Sequence, residues 1–293
     1  MGTLPVTLVV VSTFLHAGWN LLARQKGGTQ SFIWRMQVSV VALGALPAVI
    51  SLLLFPSLTA RAALCLLGSG ASCGFYYVCL ARGYESADFT TVYPAARALP
   101  VLLVGIGDAL RGRPPSPLGW LGMFLVAVGC LLVPLTSFTD FRFRHYWKRA
   151  SLWIVLTAMG TVGYSLFDKV GTEAIPRGPR ESAVYCYLFF AVAALTYMPI
   201  RALMGRSTRQ AGNGGWRIPG VAGVLCFLAY WLVLWAYQMT ERASYVVAFR
   251  QFSIVVGVLA AFVVFNEPGK AVRFVGAIVI TTGLVFLRVF GGA

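Results

Sequence analysis

The sequence predicts an all-α membrane protein with ten transmembrane helices, arranged as a 5+5 inverted repeat. Three observations lead to this prediction. Of the 293 residues, 58% are hydrophobic and only 11% are charged, whereas soluble domains carry roughly 25% charge. The apolar residues form runs of about 20, which is the length a helix needs to cross a bilayer. The two halves of the chain also carry similar segments in the same order.

Five spans are predicted in the first half, and each ends where charge, Pro or Gly enters the sequence. RQKGGTQ (24–30) closes the first span, and RGRPPSP (111–117) separates the fourth from the fifth. Such segments cannot stay in hydrocarbon. A spanning backbone must satisfy its own hydrogen bonds, and runs of this length do so as helices. The spans are 4–23, 32–55, 61–83, 88–110 and 118–135.

Five further spans follow a basic loop from Thr136 to Ala150. PRGPRE (176–181) and RSTRQAGNGG (206–215) separate the next elements by the same rule. The first span of the chain has no basic n-region and no clear cleavage site, so we expect it to be retained as a helix. The second-half spans are 151–169, 182–204, 217–239, 243–265 and 270–290.

Three pairs of segments align between the halves at a nearly constant offset, which indicates an internal duplication. A unit of five spans is odd in number, so the second copy enters the membrane inverted. The predicted repeats are 1–145 and 146–293, within one bundle. The aligned pairs are LHAGWNLLAR (15–24) with MGTVGYSLFDK (159–169), ADFTTVYPAAR (87–97) with ASYVVAFRQFS (243–253), and 112–132 with 267–286.

Composition excludes several classes of function. The net charge is +15, but the basic residues lie mostly in short loops, where they orient the spans, so no nucleic-acid partner is expected. The six cysteines fall in apolar runs without metal-ligand spacing, so we expect free thiols, no metal and no cofactor. The stretch Gly70 to Gly74 matches G-x-S-x-G, but the chain has only two histidines, so the stretch is interpreted as a small-residue helix contact. No enzyme activity is predicted.

Two arginines are the main candidates for substrate recognition. Arg97 lies about ten residues into the fourth span, near the middle of the bilayer, where a charge costs at least ~2.5 kcal/mol. Arg250 lies eight residues into the ninth span. A guanidinium suits carboxylate or phosphate groups, and Tyr93 lies one turn from Arg97 as a second donor. The alternative is that each arginine only ties helices together, or that Arg250 snorkels to the interface.

Polar and aromatic residues of other spans complete the predicted cavity. His16, Trp19 and Asn20 share one face of the first span, and His16 is a possible proton-coupling residue because histidine titrates near neutral pH. A histidine that is only hydrogen-bonded to a neighbouring helix is the alternative. Tyr164 and Trp235 are placed to line the cavity. Asp108 and Asp168 both fall near predicted span ends, so no midplane acid favours a cationic substrate.

These segments, together with FNEPGKAVRFVGAIVITTG (265–283), resemble the EamA branch of the drug/metabolite transporter superfamily. The resemblance implies one bundle with a central cavity that works by alternating access. The family's usual Glu-Arg at the turn between the fourth and fifth spans is Gly112-Arg113 here, while Asn266-Glu267 keeps the acid in the second half.

The resulting prediction is a secondary transporter of the cell membrane, by expectation a bacterial inner membrane. Its substrate is a small polar or amphipathic metabolite, anionic or zwitterionic rather than cationic. The partners are then a small-molecule substrate and the lipid bilayer, with the chain a monomer or a homodimer. The alternatives are a flippase subunit for lipid-linked headgroups and a membrane scaffold that transports nothing.

Overall fold

The structure is a computed structural model that describes residues 1–25, 30–86, 89–135, 137, 149–204, 215–264 and 270–292. The side chains of residues 24–25, 84–86, 89–95, 149–151, 260–264 and 270 also lie outside the described part. Within it, eleven helices and no strands are found, which confirms the all-α class. The helices are α1 (Thr3–Gln25), α2 (Gln30–Leu54), α3 (Ala60–Ser86), α4 (Phe89–Leu110), α5 (Pro117–Leu132), α6 (Arg149–Glu173), α7 (Pro179–Leu203), α8 (Arg217–Tyr237), α9 (Ala243–Phe249), α10 (Phe252–Val264) and α11 (Lys270–Phe290).

The eleven helices of the described part form ten crossings of the bundle, because α9 and α10 together form the ninth. By length and composition, six of the described helices are long and apolar enough to cross a membrane: α1, α2, α3, α7, α8 and α11. Their outward faces carry large apolar side chains such as Leu46, which is 70% exposed, and Leu195, which is 76% exposed. Side chains of this kind on the outside of a bundle are suited to lipid. The chain is therefore a multi-pass membrane protein.

Both chain termini lie at the same end of the bundle, which we name the terminal end. The amino group of Met1 donates to the carbonyl oxygen of Gly292 over 3.3 Å. The Thr59 hydroxyl donates to the Ala174 carbonyl over 3.0 Å, so the turns after α2 and α6 meet there. The turns after α4 and α8 lie at this end too, since Arg242 Nε donates to Pro114 O over 2.9 Å. The terminal end is thus closed by contacts between its turns.

The helices α5 and α11 approach closely through two pairs of glycines. A Cβ atom built on Gly122 lies 2.9 Å from the Gly283 carbonyl oxygen, and one built on Gly283 lies 2.6 Å from the Gly122 oxygen. Gly129 and Gly276 face each other in the same way, at 2.8 Å and 3.1 Å. Only residues without a side chain allow backbones to approach this closely. The sequence alignment sets Gly122 on Gly276 and Gly129 on Gly283, so exchanging the halves turns one contact into the other.

Other helix contacts of the core are also interchanged when the two halves of the chain are exchanged. The α3 helix packs against α6, and α1 packs against α8. Gly163 of α6 faces Ser72 of α3, and its aligned partner Gly18 of α1 faces Leu225 of α8. The cysteines of the chain are free thiols, five of them buried and Cys65 partly exposed, as the sequence predicts. The centre of the bundle therefore lies between α1, α3, α4, α6, α8 and the ninth crossing.

Candidate functional site

The ninth crossing is broken at its centre. The helix α9 ends at Phe249 and α10 begins at Phe252, which leaves Arg250 and Gln251 between them. The Gln251 amide donates to the Ala248 carbonyl over 2.9 Å, three residues back rather than four. The side-chain Nε2 of Gln251 then donates to the Val247 carbonyl over 2.8 Å. A carbonyl freed by the break is thus satisfied by the same residue, as the membrane interior requires.

Arg97 of α4 connects this break to α1. Its Nε donates to Gln251 Oε1 over 2.7 Å, and its Nη2 donates to the Arg250 carbonyl oxygen over 3.1 Å. Its Nη1 lies 2.7 Å from Nε2 of His16. Arg97 is only 9% exposed, and its rigid fork of donors binds two acceptors of the broken crossing and also contacts the ring of His16. The sequence-predicted pair Arg97 and Arg250 therefore meets across the two halves of the chain.

The contacts of His16 restrict its protonation in this conformation. The Trp19 indole nitrogen donates to His16 Nδ1 over 3.0 Å, while Arg97 faces Nε2. Indole and guanidinium nitrogens are donors only. A neutral imidazole has one acceptor nitrogen and can meet only one of these donors, whereas an imidazolium, which carries a proton on both nitrogens, would meet neither. The neutral tautomer that accepts the Trp19 bond at Nδ1 is therefore favoured here, and Asn20 extends the same face by donating to the His16 carbonyl over 2.6 Å.

Arg250 has a different environment from Arg97. Its guanidinium carbon lies 5.2 Å from the ring centroid of Tyr230 and 5.8 Å from that of Tyr164. The side chain is 6% exposed. Among the described residues, no carboxylate forms an ion pair with it. Stacking on aromatic faces stabilises a desolvated cation by up to about 2 kcal/mol.

Arg250 lines two small voids at the centre of the bundle. One has a volume of about 30 Å³, and its wall includes Trp19, Tyr76 and Tyr164. The other has a volume of about 10 Å³, and its wall includes Ser12 and Thr13. Both voids also touch His16 and Tyr230. A void of this size holds about one water molecule, so neither void admits a larger molecule in this conformation.

A buried acid next to this site was missed in the sequence. Asp168 of α6 is 0% exposed, and the Tyr230 hydroxyl donates a hydrogen bond to its Oδ2. The predicted span ended at residue 169, which made Asp168 look terminal, but α6 continues to Glu173. The extra turn places Asp168 inside the helix, about 7 Å from its end. The signal that was available is the i, i+4 spacing of Tyr164 and Asp168 on one helix face.

A charged network closes the terminal end below the site. Asp108 accepts hydrogen bonds from the Ala243 amide over 3.1 Å and the Ser244 amide over 2.7 Å, so it caps the start of α9. Arg111 pairs with Asp108 over 3.2 Å and with Glu173 over 2.7 Å. Glu173 in turn pairs with Lys169 over 2.9 Å. This network joins α4 of the first half to α6 and α9 of the second.

Two further contacts strengthen the same closure. The Lys169 ammonium donates to the Tyr237 carbonyl over 2.7 Å and also to the Thr240 carbonyl. Arg113, which follows the departure from the family pattern at Gly112, pairs with Glu241 across the turns over 3.5 Å. The equivalent acid of the second half, Glu267, lies outside the described residues.

The other predicted site residues separate into two groups. Trp19 and Tyr164 line the larger central void together with Arg250. Trp235 stacks on Trp231 with ring centroids 6.4 Å apart and lines none of the three cavities identified in the described part. The side chain of Tyr93 lies outside the described part. Within that part, no cluster of three or more His, Cys, Asp or Glu side chains is suited to a metal ion.

A third cavity lies at the periphery, between α2, α7 and α8. It has a volume of about 420 Å³ and an almost entirely apolar wall. Leu43, which is 65% exposed, stands at its outer side. Arg180 is a polar exception in the wall, and its guanidinium lies over the Phe55 ring at 4.1 Å. This cavity faces the surroundings of the bundle rather than its centre.

Comparisons with known proteins agree with this architecture. A family model described as the EamA-like transporter family matches the chain twice, over residues 3–135 and 148–289. A solved structure titled only "Crystal structure of protein" superposes with a TM-score of 0.67 at 13% identity, covering 98% of this chain and 98% of that chain. This likeness supports the fold alone. A search of curated proteins finds no match.

Proposed function

The chain belongs to the EamA-like transporter family, and we propose that it is a secondary transporter for a small anionic or zwitterionic metabolite. The observation that carries this proposal is the environment of Arg250. A cation at the break of a spanning helix borders both central voids and has no ion-pair partner among the described residues. A charge at this depth is costly, and residues of this kind mark substrate or ion pathways.

In this proposal Arg250 binds the negative group of the substrate, and Tyr164, Trp19 and the His16–Asn20 face shape the cavity around it. Arg97 positions the broken segment through Gln251 and the Arg250 carbonyl. Tyr93 and Trp235 remain proposed cavity residues for a more open state. The membrane is proposed to be a bacterial inner membrane, and the protein a monomer or homodimer.

Alternating access is supported by the relation between the halves. We propose that residues 1–145 and 146–293 form an inverted repeat. The crossed contacts of Gly122 with Gly283 and of Gly129 with Gly276 are what a two-fold axis between α5 and α11 requires. Inverted repeats place the substrate site near the midplane, at discontinuous helices, and the break at Arg250 meets that expectation.

The test is uptake into proteoliposomes of a panel of radiolabelled amino acids, organic acids, and phosphorylated or phosphonate metabolites. Arg250→Gln is expected to weaken the apparent affinity about 10- to 100-fold, because a charge-assisted hydrogen bond contributes about 1.5–3 kcal/mol. The matched control is Arg35→Gln, since Arg35 bonds only to the Ser31 carbonyl of its own helix in the described part. Equal uptake by both variants would contradict the role of Arg250.

The peripheral cavity of about 420 Å³ supports a second candidate, a flippase for lipid-linked headgroups. Its apolar wall would accept an acyl chain, and Arg180 would meet an anionic headgroup. Dithionite quenching of a fluorescent phospholipid in the same proteoliposomes distinguishes the two candidates. The transporter proposal expects metabolite uptake and no faster lipid exchange than in protein-free vesicles. If neither activity is observed, the remaining alternative is a scaffold that transports nothing.

A further inference from the structure

We propose that Asp168 is the proton-binding site of the transporter and that one proton moves with each anion. This inference rests on the proposed function. Its geometric basis is a row of three side chains: Asp168, Tyr230 and Arg250. The Tyr230 hydroxyl donates to Asp168 Oδ2, while the Tyr230 ring lies 5.2 Å from the Arg250 guanidinium carbon. One tyrosine therefore contacts both the buried acid and the proposed anion site.

Asp168 has a second carboxyl oxygen that is buried and unpaired among the described residues. Its Oδ1 is buried without a hydrogen-bond partner in the described part of the chain, and so is the Tyr185 hydroxyl. Tyr185 is within electrostatic reach of the carboxyl group. A buried acceptor left unsatisfied costs about 1–3 kcal/mol. A proton on the carboxyl group removes its negative charge and so lowers the cost of leaving Oδ1 unpaired.

The groups that face Asp168 come from four elements. Its neighbour Lys169 is directed away from it, because the ammonium pairs with Glu173 and with carbonyl groups at the terminal end. Only Arg250 among the facing groups carries a permanent charge. The facing groups are Cys65, Ser69 and Cys73 of α3, Tyr185 and Cys186 of α7, Tyr230 and Tyr237 of α8, and Arg250.

Charge balance couples the proton to the anion. In the empty site, the negative Asp168 and the positive Arg250 compensate each other across Tyr230. When an anion binds Arg250, two negative charges share one cation in a medium of low dielectric constant, where like charges repel strongly. Binding one proton at Asp168 restores neutrality. The loaded site then carries no net charge from these three groups, which favours its passage through a closed state.

Tyr230 also supplies the path for this proton, because it lines both central voids. A hydronium ion that reaches a void gives its proton to the Tyr230 oxygen and leaves neutral water, while the existing Tyr230 O–H bond breaks and that proton forms a new O–H bond on Asp168 Oδ2. The tyrosine ends unchanged, and the carboxylate ends as a carboxylic acid. Release on the other side of the membrane reverses these steps. His16 does not bind the transported proton in this conformation, because its two ring nitrogens face donor groups of Trp19 and Arg97.

The first experiment needs no substrate. Infrared difference spectra of the wild-type protein in liposomes are recorded across a pH titration, and the probe is pH alone. We expect a protonated-carboxyl band that titrates, is absent in Asp168→Asn and is displaced in Asp168→Glu. The matched control is Glu241→Gln, since Glu241 is 53% exposed at the bundle surface, and it is expected to keep the band. If Asp168→Asn does not fold, the displacement in Asp168→Glu decides the assignment.

The second experiment uses whichever panel metabolite the wild type accumulates. A pH gradient is expected to concentrate a monoanion up to about tenfold per pH unit, because one unit corresponds to about 1.4 kcal/mol. Asp168→Asn is expected to lose this accumulation but to keep exchange between labelled and unlabelled metabolite. Tyr230→Phe is expected to keep the infrared band with a changed pH midpoint and slower accumulation.

Three results would overturn the proposal. They are a titrating band that persists in Asp168→Asn, accumulation by Asp168→Asn equal to wild type, and loss of pH dependence in His16→Gln while Asp168→Asn retains it. If no metabolite of the panel is transported, the proposed function fails, while the infrared result still decides whether Asp168 binds a proton.

Discussion

Two buried arginines of equal charge have different roles because their neighbours differ. Arg97 donates to the side chain of Gln251 and to the Arg250 carbonyl, groups that belong to the protein itself. Arg250 lies against the rings of Tyr164 and Tyr230 and borders the central voids. We therefore propose that the first arginine holds the broken crossing in place and that the second binds the anion. From the sequence, the two residues differ only in their depth within a span.

Gln251 is the residue on which the broken crossing depends. Gln251→Leu removes the acceptor of Arg97 Nε and the donor to the Val247 carbonyl. Leaving such groups unsatisfied is expected to lower the free energy of unfolding by about 1–3 kcal/mol. The measurement is unfolding in bicelles, followed by tryptophan fluorescence.

The matched control is Gln37→Leu in α2. Gln37 is 0% exposed, and both polar atoms of its amide are without a partner in the described part. Replacing an unsatisfied buried amide by an apolar side chain of similar size is expected to be neutral or stabilising. A Gln37→Leu protein that loses as much stability as Gln251→Leu would show that the contacts at the break are not responsible.

At the scale of helices, most boundaries followed from the sequence because charge and turn residues mark them. The ten predicted spans correspond to the ten crossings, and nine of these are single helices. The exception is the predicted span 243–265, which is interrupted at Arg250 and Gln251. Neither Pro nor Gly marks that break. It is stabilised by Arg97, 153 residues away in the chain, and a contact at that separation leaves no local pattern.

The acid at Asp168 was missed for a related reason. A span prediction counts apolar residues, and the polar residues Asp168 and Lys169 end the count, although hydrogen bonds from other helices allow α6 to continue. The sequence also does not distinguish aromatic residues that line the central voids from those that pack elsewhere. Tyr164 and Trp235 are both aromatic residues within predicted spans. Tyr164 borders the larger central void, whereas Trp235 stacks on Trp231.

The contact between α5 and α11 gives a prediction at this scale. A Cβ on Gly129 would lie 2.8 Å from both the Gly276 carbonyl oxygen and the Ile280 amide nitrogen, which are backbone atoms that cannot rotate away. Gly129→Ala is therefore expected to destabilise the protein by about 1–3 kcal/mol through overpacking. Thermal unfolding in detergent measures the change.

Gly257 of α10 provides the comparison, because no atom lies within 4 Å of a Cβ built there. Gly257→Ala is expected to be neutral or to stabilise by up to about 1 kcal/mol, since alanine is the better helix former. Equal effects of the two substitutions would mean that helix propensity, and not the close approach of α5 and α11, sets the outcome.

For the whole molecule, the structure is closed at the terminal end, which is one state of the transport cycle that we propose. Pairs that join the halves there include Arg111 with Glu173 and Arg113 with Glu241. Most of these charges are partly exposed, and exposed ion pairs contribute only about 0–1 kcal/mol each. Such contacts can break during a transport cycle, whereas the glycine contacts of α5 with α11 bring backbones together and are suited to a fixed axis.

This difference predicts which crosslinks stop transport. With Cys65 replaced by serine, cysteines at Arg113 and Glu241, whose side chains are 57% and 53% exposed, are joined by a cleavable bifunctional maleimide. Locking this pair is expected to abolish net uptake, because the terminal end then stays closed, and cleavage of the linker is expected to restore it. The readout is uptake of the transported panel metabolite before and after cleavage.

The control crosslink joins cysteines at Ser116 and Phe290, whose hydroxyl and carbonyl lie 3.2 Å apart at the same end of the bundle. These positions belong to α5 and α11, which we infer to remain together throughout the cycle. Transport is therefore expected to continue when this pair is linked. If the second crosslink blocks uptake and the first does not, the moving interface is the one between α5 and α11, and the closure of the terminal end by Arg111, Arg113 and their partners is not a gate.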